Sequence, residues 1–209
     1  MEYKRQIIRT VCFLAGMLIM TFGARMFVVS ALGANTLDSF CVGMADTTFL
    51  SVGVWVNIAA VMMLLISVVI GRQKFKWMAL VSSLAFGVFF DMWSYITKDI
   101  EITAIYIQIP LFVTALLCAT FGNSIYLLPQ FPITALDELM MSLKNRFDIS
   151  IKVSRIILDI SFTILGLIVG GPVWIGTLLI AILYGPMLQT FYRMIEQMYN
   201  RLFQNVEIE

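Results

Sequence analysis

The chain has 209 residues, of which 60% are hydrophobic and 13% charged, and its formal net charge is +1. Its mean hydropathy is +0.92, whereas an ordinary soluble domain is roughly 45–50% apolar and about 25% charged. Such a balance excludes a disordered chain and a soluble single-core enzyme, and it describes one polytopic, all-α membrane domain.

Absences narrow the chemistry. There is no His, which removes the commonest metal ligand and the commonest general base. Cys12, Cys41 and Cys118 are scattered and read as small apolar helix residues, not as a redox or metal site. GxxxxGK[ST], GxSxG and HExxH are missing. No long basic run is present, so nucleic acid is not expected as a partner. No cofactor and no enzymatic activity are expected, because acids and Tyr would have to carry all proton transfer and no paired nucleophile is visible. The expected partners are the lipid bilayer, a small-molecule solute, and a second copy or another membrane protein.

A span needs about 20 mostly apolar residues. Six are predicted: Ile7–Val29, Val52–Ile70, Trp77–Ile96, Ile102–Leu128, Ile151–Val169 and Val173–Tyr192. The first carries Lys4, Arg5 and Arg9 at or before its N-terminal end and has spanning length, unlike a signal peptide. The fourth is long enough to tilt or break. The fifth is the least apolar, with Lys152, Arg155 and Asp159 in its first half. The tail from Phe191 to Phe203 keeps helical apolar spacing (Met194, Ile195, Met198, Leu202) and continues as an amphipathic helix. Trp55, Trp77, Trp93 and Trp174 lie mostly near span ends, as interfacial anchors do.

Positive charges set the orientation. Lys4, Arg5, Arg9, Arg72, Lys74, Lys76, Lys144, Arg146, Lys152, Arg155, Arg193 and Arg201 fall on one side, against Arg25 and Lys98 on the other. A bacterial plasma-membrane protein with both termini cytoplasmic is expected.

The sequence also repeats itself. Phe22–Val29 aligns without gaps on Phe121–Leu128, and at the same shift Asn35-Thr-Leu-Asp38 falls on Thr134-Ala-Leu-Asp137. Ser51 then meets Ser150, Val54 meets Val153, Ile58 meets Ile157 and Gly71 meets Gly170. After a one-residue slip, Phe86-Gly87 meets Tyr184-Gly185. Residues 1–97 and 98–209 would each hold three spans. An odd number inverts the second repeat in the membrane, an arrangement recurrent in transporters. Fluoride-type channels and other small membrane folds use inversion as well.

A short amphipathic helix is expected after the first span of each repeat. Asn35 with Asp38, and Thr134 with Asp137, have the spacing of an N-cap and its N3 acid. Leu37, Phe40, Cys41 and Met44 form one apolar face, and Leu136, Leu139, Met140 and Leu143 its twin. Gly33 and the Pro129/Pro132 pair break the preceding helices. The two acids either cap these helices or line two mouths of a pathway.

Ser150–Asp159, Gly170-Gly-Pro-Val-Trp-Ile-Gly-Thr177 and Tyr184-Gly-Pro-Met-Leu-Gln189 resemble the YczE-type bacterial membrane proteins of the YczE/YyaS/YitT grouping. Leu32–Asp38, Ser51-Val-Gly53 and Phe89-Phe-Asp91 agree with it too. Thr36-Leu37-Asp38 stands where that pattern usually reads Pro-Trp-Asp. The resemblance covers nearly the whole chain and implies a six-span bacterial plasma-membrane protein.

Charges inside spans cost about 2.5–3.5 kcal/mol each on insertion scales and call for partners or water. Arg155 and Asp159 are one helical turn apart, which fits an ion pair, and Thr163, Gly166 and Gly170 continue their stripe. Two opposed vestibules are expected. Asp137, Arg155 and Asp159 would form the cytoplasmic one, and Arg25, Asp38 and Asp91 the outer one, with Arg25 paired to Asp91. Gln189 joins these residues as a pathway candidate. The leading function is a small transporter or permease for a polar or amphiphilic solute. A non-transporting accessory or regulatory membrane protein, or a substrate-capture subunit of a larger importer, is the alternative.

Overall fold

The computed structural model describes residues 2–72, 75–129, 131 and 134–208; for Glu2, Lys4, Arg5, Ile151, Lys152 and residues 198–208 it describes the backbone alone. Expectations resting on Lys74 and Pro132, and on the side chains of Lys4, Arg5, Lys152, Met198, Arg201, Leu202 and Phe203, lie outside what is described.

The described residues form eight helices and no strand: α1 (Glu2–Val29), α2 (Thr36–Thr47), α3 (Val52–Gly71), α4 (Trp77–Ile96), α5 (Ile105–Leu127), α6 (Ala135–Phe147), α7 (Ile151–Ile168) and α8 (Ile175–Ile208). Five stretches are long and apolar enough to cross a membrane: Gln6–Val29, Val52–Gly71, Trp77–Ile96, Ile105–Leu127 and Ile175–Gln197. This is a multi-pass membrane protein whose apolar outer faces contact lipid. The fifth expected span differs. Helix α7 has 18 residues and carries Lys152, Arg155 and Asp159, so by length and composition it falls short of the other five. The last span and the amphipathic tail are one continuous helix, α8, despite Pro186 within it.

Helices α1 and α5 cross in close contact. A Cβ added at Gly23 would collide with the backbone of Ala115 and Ala119. One added at Gly122 would collide with the backbone of Gly16 and Met20. The helices run antiparallel, since Phe13 meets Tyr126 at 5.3 Å and Phe27 meets Phe112 at 5.2 Å. Missing side chains let the backbones approach, as small residues do at helix contacts in lipid.

The break after α1 comes at Ala31 (φ 56°), with Gly33 (φ 125°) completing the turn. Both have the left-handed conformation in which a non-glycine residue is strained. The turn is held against the start of α8, where Gly176 N donates to Leu32 O at 2.8 Å. Helix α2 then packs on α3 and α7, and α6 packs on α3, α4 and α7. Ser51 and Ser150 cap the following helices in the same way, accepting from Val54 N at 3.3 Å and Val153 N at 3.2 Å. Lys76 closes on the buried Glu138 at 2.8 Å, tying α6 to the loop before α4.

One asymmetry stands out. Helices α3 and α4 pack along each other, with Gly87 seated against Asn57 and Gly53. Helices α7 and α8 hardly touch. At Gly185, which the sequence repeat superposes on Gly87, a Cβ would meet no atom within 4 Å.

Candidate functional site

The starts of the two short helices build the site. Asn35 and Thr134 occupy the expected N-cap positions, but neither side chain caps a backbone N–H. The direction is reversed: the acid at N3 accepts. Thr134 Oγ1 donates to Asp137 Oδ2 at 2.9 Å, and the Thr134 backbone N–H also reaches that carboxylate. The Asn35 side chain donates to Asp38. Each acid thus sits at the positive end of a helix dipole, where negative charge is stabilised.

Both helix starts open on one cavity holding about 660 Å3 of empty space, part of it open to solvent. Asn35, Leu37 and Asp38 line it from α2, and Thr134 and Leu136 from α6. Met20, Ala24 and Phe27 face it from α1, Val56, Ala60 and Met63 from α3, and Ser83 and Phe86 from α4. Ala119 of α5 and Tyr184 of α8 complete the wall. Asp38 itself is only 4% exposed.

The charges group differently from the two expected vestibules. Arg155 Nε bonds Asp159 Oδ2 at 3.1 Å, so the expected intrahelical pair is made. Asp159 Oδ1 also accepts from Thr36 Oγ1 at 3.0 Å, which brings α7 to the start of α2. The Arg155 charge reaches Asp38, Asp137 and Tyr184. Asp38 therefore belongs with Asp137, Arg155 and Asp159, not with Arg25 and Asp91. The cause is where the start of α2 docks. It is anchored by Ala34 N and Ser39 Oγ, which donate to Pro172 O at 3.0 and 3.1 Å.

Arg25 and Asp91 do not pair either. Asp91 caps α3, accepting from Gly53 N at 2.7 Å and from the Ser51 hydroxyl. That helix start already supplies a positive partner for the half-buried acid. Arg25 Nε donates to Thr97 Oγ1 at 2.9 Å, and the carboxylate it feels is Asp46. Gln189, which the repeat superposes on Asp91, is exposed and has no part in the cavity. Of the expected Gly166/Gly170 stripe, Gly166 packs on Ser39 and Phe40, while Gly170 (φ 74°) ends α7 in open space.

Tyr184 and Asn123 were not singled out as site residues from sequence. Asn123 Nδ2 donates to the Tyr184 hydroxyl at 3.0 Å, fixing the ring in the cavity wall. The available signal was the repeat itself, which sets Tyr184 opposite Phe86 with a hydroxyl added.

The model of the family of unknown function DUF6198 matches residues 7–193. The chain belongs to this family. It is 28% identical to the uncharacterized protein YyaS of Bacillus subtilis (strain 168) over 183 residues, 87% of this chain and 91% of that protein. It is 24% identical to the uncharacterized membrane protein YczE of the same organism over 184 residues, 88% of this chain and 85% of that protein. An uncharacterized protein of Haemophilus influenzae (strain ATCC 51907 / DSM 11121 / KW20 / Rd) is 33% identical over 96 residues, 46% of this chain and 44% of its own. No solved structure matches the chain. The YczE-type grouping read from the motifs is thereby established.

Proposed function

We propose that the chain is a small bacterial plasma-membrane transporter, not an enzyme. It would bind a small amphiphilic solute in the cavity between two inverted three-span repeats, residues 1–97 and 98–209. Both termini would be cytoplasmic, and α7 would serve as the sixth span with its charges turned toward the cavity. Several contacts support the inversion. Gly23 packs on Ala115 and Ala119, and Gly122 packs on Gly16 and Met20. Each contact becomes the other under the repeat's shift, as a twofold axis across antiparallel helices requires. Helix α2 packs on α7 as α6 packs on α3.

One observation carries the functional reading. Repeat-equivalent residues, Met20 with Ala119, Asn35 with Thr134, and Leu37 with Leu136, converge on one cavity. Binding sites of inverted-repeat transporters lie at such an axis, with half-helix N-termini aimed at them.

The test is access to that cavity. Ala60 lines it and is buried. With Cys12, Cys41 and Cys118 replaced by Ala, the Ala60→Cys protein in membranes should react with a small charged thiol reagent. A cysteine that reacts only after denaturation would mean that the cavity is never open to solute, and would favour a scaffold.

A further inference from the structure

The cavity's lining is largely apolar along α1, α3 and α4, with Met20, Phe27, Val56, Met63 and Phe86. The short-helix starts supply its polar end with Asn35, Asp38 and Thr134. A solute filling this space needs an apolar body and one polar end.

The sign of that end follows from the fixed charges. Asp38, Asp137 and Asp159 face one guanidinium, Arg155. The N-termini of α2 and α6 together contribute about one positive charge. With all three acids ionised, about one negative charge is left uncompensated, and a proton or a cation must offset it. Asp159 is saturated by Arg155 and Thr36, and Asp137 is held by Thr134. Asp38 lies on the cavity wall, is 4% exposed and has no ion-pair partner among the described residues; the Asn35 amide bonds it. A buried carboxylate in this position takes up a proton or a cation, and a protonated amine supplies both.

We infer that the solute is an amphiphile with a single ammonium group, which sets its charge against Asp38 in the cavity. This inference rests on the transport reading and names its substrate class.

The Ala60→Cys protein tests both, with decylamine, decanoate, decanol and methylamine as probes. Decylamine should slow thiol labelling saturably, by about tenfold or more, the scale of a lost charge-assisted hydrogen bond. The other three probes at equal concentration should leave labelling nearly unchanged. Asp38→Asn, nearly isosteric, should raise the half-protective decylamine concentration about tenfold, while Asp38→Glu should retain protection.

Equal protection by decanoate or decanol would overturn the charge assignment, as would an Asp38→Asn protein protected like its parent. Failure of the transport reading is distinct from all of these, because the cysteine would then not react even without a probe.

Discussion

Gly23→Ala and Gly122→Ala should each destabilise the protein by about 3 kcal/mol, at the upper end of overpacking costs. A helical glycine replaced by alanine ordinarily gains about 1 kcal/mol in propensity, so the clash must outweigh a favourable change. It does so because each new Cβ meets backbone atoms of the facing helix, which have no rotamer to adopt. Relief requires moving α1 from α5 along their whole crossing. The two losses should be similar, because the contacts correspond under the repeat. Gly185→Ala is the control, since nothing lies within 4 Å of its Cβ; it should be neutral or mildly stabilising. Thermal midpoints in lipid nanodiscs would measure all three. A Gly23→Ala protein as stable as its parent would contradict the observed helix approach.

The second large effect belongs to Arg155 and Asp159. Arg155→Leu leaves Asp159 as a charge without its counter-ion beside the start of α2. Breaking a fully buried pair costs about 3–5 kcal/mol. These side chains are 37% and 23% exposed, so screening lowers the expectation to about 2 kcal/mol. Asp159→Leu should cost at least as much, because Thr36 also loses its acceptor. The double replacement should be more stable than either single, since no lone charge remains. If the pair also serves the cavity, the double variant should fold and lose ligand-dependent protection at Ala60→Cys. A double variant less stable than the two singles combined would contradict the ion pair.

Much of this architecture is legible in the chain. Apolar runs mark the spans because a bilayer demands them, and the short helices follow from Asn35/Asp38 and Thr134/Asp137 between helix breakers. The Arg155–Asp159 pair follows from spacing along one helix. Where the start of α2 docks is not encoded locally. It is set by Pro172, whose carbonyl binds Ala34 and Ser39 from more than a hundred residues away. Sidedness alone assigns Asp38 to Arg25 and Asp91, whereas packing carries it to Arg155. The partner of Asp91 was missed for a similar reason. A helix start offers the field of a cation without any charged residue to read. The inverse holds for α7, where Arg155 and Asp159 weaken the hydropathy yet bond each other and the buried Thr36.

The central claim is that α2 and α6 approach one cavity from opposite sides of the membrane. Their C-terminal ends then belong to opposite faces, and Asp46 and Asn145 are exposed near those ends. The measurement is labelling by an impermeant thiol reagent of single cysteines at positions 46 and 145, in intact cells, with Cys12, Cys41 and Cys118 replaced. Position 46 should react in intact cells, and position 145 only once the membrane is permeabilised. Reaction of both from the same side would contradict the inverted arrangement and, with it, the site between the repeats.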